Sequence, residues 1–173
     1  KNTLILLILL LITNYIYSQN SSSDSLAYEI AKSKFQIDTS LTGFKLSSIQ
    51  ENNFIYTPNG TIDLHNGNET SGFLVMTMPN ITYSKGVEFI QYMESTTEQD
   101  GMKIINIERL DTVINGNKIF ESTLELLDKF NKTQYIYLAF LKKKDSAIGF
   151  TGKDIDNRKY ITQFKKTFRD IKF

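Results

Sequence analysis

The chain contains no cysteine and no tryptophan, a single histidine and only two prolines among its 173 residues. Without cysteine there is no disulfide framework, no thiol nucleophile and no thiolate metal site. The same absence removes the lipid-modified cysteine that tethers many exported bacterial domains. With His65 the only histidine, a histidine-based triad would have to use it, and a zinc site would lack its usual partners. No glycine run precedes a Lys-Ser or Lys-Thr pair in the frame of a phosphate-binding loop. Charge of one sign is missing too: 20 Lys and Arg stand against 19 Asp and Glu. Nucleic-acid binding needs a strong basic excess, so that class is set aside.

What is present begins with an apolar leader. Leu4 to Ile12 is an unbroken apolar run after Lys1, followed by a polar break at Thr13 and Asn14. A spanning helix needs roughly 20 apolar residues. Even counted through to Tyr17, at about 1.5 Å per residue, the stretch reaches only about 21 Å. Basic start, apolar run, polar region and small residue follow the secretory order. We therefore expect positions 1–18 to be a signal peptide cut after Ser18, leaving Gln19 first. The expected location is extracytoplasmic, periplasmic or secreted, with no stable membrane anchor after cleavage. Lys1 is the leader's one charge, so 20 − 1 leaves 19 basic against 19 acidic residues.

About 155 residues then remain, one domain's worth, and such a chain buries roughly 68–70% of its unfolded surface. Positions 19–34 read as a tether or short helix, and 35–173 as a single domain. "GFKLSS" at 43–48 and "NNFIYT" at 52–57 read as strands. Positions 58–72 are dense in Asn and Gly and read as turns around at most a short strand at 61–65. "FLVMTM" at 73–78 is a buried strand ending at Pro79.

Val87, Ile90 and Met93, with Phe89 beside them, predict an amphipathic helix over about 84–99, stopped by Gly101. Asn115-Gly116 is a hairpin pivot, because both central residues must accept positive φ. In its second arm Phe120, Ser122, Leu124 and Leu126 share one face, with Glu121, Thr123 and Glu125 on the other. "TQYIYLAFL" is apolar on both faces, the mark of a strand covered on both sides. Its hairpin partner "AIGFTG" follows through Lys142–Ser146. In the last segment, 157–173, Ile161, Phe164, Phe168 and Ile171 form a stripe, and Asp156 is placed to cap the helix. Arg158, Lys159, Lys165, Lys166 and Arg169 make the opposite face, expected to be solvated.

The order of a "GF" strand, a Pro/Gly-rich loop, "MTMPN", an amphipathic helix, "INGNKIFES", an aromatic strand pair and "QFKKTFRDIKF" resembles the Mog1/PsbP-like superfamily. The resemblance covers roughly 40–173. It implies an α+β fold: an α/β/α sandwich, with a mostly antiparallel central sheet flanked by helices on both faces. In such domains an aromatic residue, often Trp, follows the first strand; here that place falls to Phe54. Superfamily members are photosystem-assembly factors, a nuclear-transport regulator, envelope proteins and secretion chaperones, so the resemblance implies mainly non-catalytic work and the fold does not choose among these.

The candidate groups are few. Asp63, His65, Asn66, Asn68 and Glu69 form a polar loop that could meet a partner. As a calcium site the loop fails the EF-hand spacing, since His65 and Gly67 occupy ligand positions. Asp154 and Asp156 read as helix caps. Lys142, Lys143 and Lys144 read as a solvated hairpin tip that discourages edge pairing. Asn20, Asn59, Asn68, Asn80 and Asn131 begin Asn-x-Ser/Thr triplets, which we read as composition.

The functional expectation is a non-catalytic exported binding or assembly-accessory protein with a protein partner and no cofactor or metal. The alternative is a small-molecule or lipid carrier with Phe164, Phe168, Tyr135 and Tyr137 around a cavity between sheet and helix.

Overall fold

The computed structural model describes residues 34–61, 70–98 and 102–172. Seven strands and two helices follow the order β1 (Lys45–Gln50), β2 (Asn53–Thr57), β3 (Gly72–Thr77), α1 (Tyr83–Thr97), β4 (Lys103–Ile114), β5 (Asn117–Leu127), β6 (Thr133–Lys143), β7 (Ser146–Asp154) and α2 (Ile161–Arg169). All strands join one sheet, in the order β1-β2-β3-β7-β6-β5-β4, and every neighbouring pair is antiparallel. The leader and the segment to residue 33, the 62–69 stretch and Gly101 lie outside the described residues.

Local signals explain the turns. Asn115 and Gly116 take φ of 52° and 76°, as a two-residue turn matching strand twist requires. They bring Ile114 opposite Asn117 and set the register of eleven paired positions from Lys103↔Leu127 inward. Thr82 caps α1 by accepting a hydrogen bond from the Lys85 N–H at 3.3 Å, so the helix starts a residue earlier than its apolar stripe alone suggested.

Each face of the sheet carries its own core. On one face α2 lays Ile161, Phe164 and Phe168 over Phe73, Val75, Ile119, Tyr137, Ala139, Ile148 and Phe150. On the other, α1 lays Ile90 and Met93 over Phe120, Leu124, Leu126, Leu138 and Phe140. β6 sits between β5 and β7 and feeds both cores from alternate residues, which is why its sequence is apolar on both sides. The result is the three-layered α/β/α arrangement. The two ends of the described part close this frame: Gln36 pairs with Lys172 in both directions, at 2.7 and 3.0 Å, and the Phe35 ring meets Phe54 edge-on at 4.9 Å.

Three expectations need correction. The last helix starts at Ile161 rather than near 157, because Asn157 and Arg158 both take positive φ. Asp156 does not cap it. Asp154, fully buried, accepts from the Tyr160 N–H at 2.6 Å and the Asp156 N–H at 2.8 Å, whereas the Asp156 carboxylate accepts from the Ser71 hydroxyl at 2.6 Å. The Lys142–Lys144 run guards no edge, since β6 and β7 lie mid-sheet; Lys143 ends β6 and Lys144 begins the turn, both exposed.

Candidate functional site

Asp63, His65, Asn66, Asn68 and Glu69, the loop residues singled out in the sequence, lie outside the described residues. The rings named for a carrier cavity are in the described part. Phe164, Phe168 and Tyr137 are fully buried. Phe164 lies 5.8 Å from Phe73 and 6.1 Å from Phe150, and Phe168 5.7 Å from Phe150 and 6.1 Å from Tyr137. These rings have each other as neighbours, in the edge-on and tilted geometries aromatic quadrupoles favour.

A shallow concavity lies elsewhere. An open groove of about 680 Å³ runs between α1 and the first half of β4. Gln91, Glu94, Ser95 and Glu98 line it from the helix, and Ile104, Ile105, Asn106, Ile107 and Arg109 from the strand. β4 is the last strand of the sheet, so among the described residues no strand pairs with its far side. A register shift between Ile104 and Asn106 leaves Ile105 as an extra residue, and this bulge turns its side chain outward, 44% exposed.

Electrostatics in the groove centre on one pair. The Glu94 side chain is only 4% exposed, and Arg109 grips it through Nε at 3.1 and 3.2 Å and through Nη2 at 2.6 Å. The carboxylate holds the Arg109 guanidinium above its usual pKa. A carboxylate held this way, with a guanidinium on both oxygens, anchors the strand to the helix. Beside it the Tyr83 hydroxyl donates to Asp111 Oδ1 at 2.6 Å; burial first, and then this carboxylate, push the Tyr83 pKa up. On the other face Arg158 reaches Glu108 at 3.0 Å and Lys165 reaches it at 3.7 Å. β4 is thus tied by side chains to both helical layers while its outer backbone edge stays open.

The cationic face of α2 is less free than its sequence suggests. Arg169 makes a two-pronged bridge to buried Glu121, 2.6 Å at each prong, and Arg158 and Lys165 share Glu108. Two groups escaped the sequence reading. Glu94 falls four residues after Ile90, on the apolar stripe of α1, and a charge on such a stripe was the available signal. Glu121 was placed on a polar face, but its strand neighbours a two-faced one, so that face had to be covered as well. Among the described residues no three His, Cys, Asp or Glu side chains gather in a way that could hold a metal ion, and no helix is long and apolar enough to cross a membrane.

No family model matches the chain, and no curated protein matches it in sequence. Two proteins of known structure share its course in part. The cyanobacterial PsbP (CyanoP) of Synechocystis superposes with a TM-score of 0.47 at 13% identity, over 79% of this chain and 89% of that one. PA94 of Pseudomonas aeruginosa, a protein of unknown function, superposes with a TM-score of 0.42 at 11% identity, over 73% and 94%. Such likenesses concern chain course alone and bear on no activity. The antiparallel sheet with a helix on each face, which the Mog1/PsbP-like resemblance implied, is present in this chain's own strand pairing and two cores.

Proposed function

We propose that this is a non-catalytic binding or assembly-accessory protein, exported after loss of positions 1–18, that holds a protein partner in the groove between α1 and β4. The observation that carries the reading is the groove's composition. Its buried acid is locked by Arg109, its strand side is apolar at Ile104, Ile105 and Ile107, and its helix side is polar at Gln91, Ser95 and Glu98. Apolar surface beside amide, hydroxyl and carboxylate groups is the mixture with which protein interfaces combine burial and hydrogen bonding.

Capture from the envelope fraction tests this. The wild-type chain is expected to retain a partner that Ile105→Asp and Ser95→Arg lose, while Phe130→Asp, a change at a more exposed and remote position, keeps it. Asp63→Ala and Glu69→Ala form a second arm for the 58–72 loop. Equal capture by all groove variants, or turnover of a generic ester or glycoside, overturns the reading. The mass of the exported chain checks the leader: it is expected to begin at Gln19.

A further inference from the structure

The two edges of the sheet are built differently, and the difference identifies an occupant for one of them. β1 is six residues long and carries a register shift between Leu46 and Ser48, a device that blunts an edge. β4 is twelve residues long, and its one irregularity lies at its start, near Ile105. From Asn106 to Ile114 it is regular, has no proline, and presents Leu110 at 42% and Val113 at 61% exposure.

Hydrogen-bond parity along this stretch follows from the hairpin. A two-residue turn is flanked by a pair that exchanges both N–H···O bonds, here Ile114 and Asn117, and such pairs alternate with unbonded ones in an antiparallel ladder. Ile114, Thr112, Leu110 and Glu108 therefore bond inward to β5. Val113, Asp111, Arg109 and Ile107 direct their N–H and C=O groups away from the sheet. The side chains agree with this alternation: Arg109 and Asp111 meet α1 residues Glu94 and Tyr83, and Glu108 meets Arg158 and Lys165 near α2.

We infer that β4 pairs antiparallel with β4 of a second copy of this chain, about a two-fold axis at Leu110. In that register Arg109 faces Asp111 of the second copy and Asp111 faces its Arg109. Ile107 faces Val113 in the same reciprocal way, and Leu110 faces itself. All four outward-bonding residues then meet outward-bonding residues, and both charged pairs are of opposite sign. Moving the register by two residues in one direction sets Arg109 opposite Arg109; moving it in the other sets Asp111 opposite Asp111. Like charges directly opposite are destabilising, so charge disfavours both neighbouring registers that the parity allows. The interface is isologous, as a two-fold dimer requires. Because the axis is normal to the sheet, both α1 faces lie on one side, and the two grooves open side by side across the axis. This goes beyond the groove's proposed role and does not depend on it.

Light scattering on the full chain over a concentration series, together with engineered cysteines in a chain that has none, tests the inference. A dimer is expected, with Asp111→Arg and Val113→Lys each weakening it about tenfold or more while circular dichroism and the melting curve stay those of a folded protein. Under mild oxidation Leu110→Cys is expected to cross-link, because its Cα lies about 4.5 Å from its counterpart in an unbonded pair, within disulfide reach. Thr112→Cys is expected not to, since its counterpart lies four residues along the strand, about 13 Å away. A wild-type chain that stays monomeric at every concentration overturns the inference and leaves the edge to a foreign strand. A dimer indifferent to the β4 variants overturns it too, as does cross-linking at Thr112 in place of Leu110.

Discussion

The two faces of the sheet dock their helices with the same pair of devices and the roles exchanged. On the α2 face the helix supplies the ring and the guanidinium: Phe164 lies against Gly152 of β7, and Arg169 reaches Glu121 of β5. On the α1 face the sheet supplies them: Phe140 of β6 lies against Gly86 of the helix, and Arg109 of β4 reaches Glu94. In each case a missing Cβ lets an aromatic ring settle on backbone, and a buried carboxylate takes an arginine at the rim. The faces differ in mass. Among the described residues sixteen buried ones, mostly aromatic, form the core on the α2 face, against eight on the α1 face. The α2 face therefore carries more of the stability, and the lighter α1 face is the one that leaves a groove.

Truncating the rings should separate the faces most. Phe164→Ala and Phe140→Ala each remove a fully buried ring and are expected to cost about 3–5 kcal/mol. Phe164→Ala should be the costlier, because its ring neighbours on Phe44, Phe73 and Phe150 lose contacts together. Urea denaturation measures both; a larger loss for Phe140→Ala would reverse the ranking of the faces.

The ion pairs come next. Removing one partner of a buried pair strands the other charge and costs about 3–5 kcal/mol. Arg169→Met should approach that range, since Glu121 is 3% and Arg169 34% exposed. Arg109→Met should fall well below it, because Arg109 is 50% exposed and water can enter beside Glu94. Equal losses in thermal melts would mean that both carboxylates are equally sealed.

The glycines give a smaller and sharper contrast. A Cβ at either position runs into a ring, Phe164 at Gly152 and Phe140 at Gly86, and overpacking costs roughly 1–3 kcal/mol. The ring approaches a Cβ more closely at Gly86 than at Gly152, and alanine recovers roughly 0.5–1 kcal/mol of backbone entropy in helix and strand alike. Gly86→Ala should therefore destabilise at least as much as Gly152→Ala in urea denaturation.

Acid should have the least effect, and Glu108 carries the part that falls on β4. The Arg158 guanidinium holds the Glu108 carboxyl below its usual value of 4.5. A carboxyl depressed in the folded state stabilises above its unfolded pKa, and that contribution is lost as pH falls through the folded value. Glu108→Gln should therefore remove a small part of the acid destabilisation below pH 4.5, measured as unfolding free energy at pH 7 and at successively lower pH. An unchanged acid limb would show that Glu108 contributes nothing there.

Much of the frame was legible before any coordinates. Asn115-Gly116 declared a hairpin because few residues accept two successive positive φ angles. The steps of three and four from Ile161 to Ile171 declared a buried helix face, and β6 declared its central place by being apolar on both sides. Glu121 and Glu94 were not legible as buried anchors, since a carboxylate in an alternating strand or amphipathic helix reads as solvated until its arginine is known. Asp156 does not cap the last helix because Asn157 and Arg158 turn left-handed and delay its start, and Asp154 orders the preceding turn through the Asp156 and Tyr160 N–H groups.

The sequence by itself determined the local periods: which residues alternate, where the chain turns, and which stripe of each helix is apolar. These follow from backbone sterics and side-chain polarity within a few residues. Only the tertiary structure decided that β7 returns to pair with β3, that β4 is left at the edge, and that Arg109 and Asp111 stand two apart on its open side. Those outcomes depend on which distant segments meet, and a strand's own residues do not record whether its second neighbour exists.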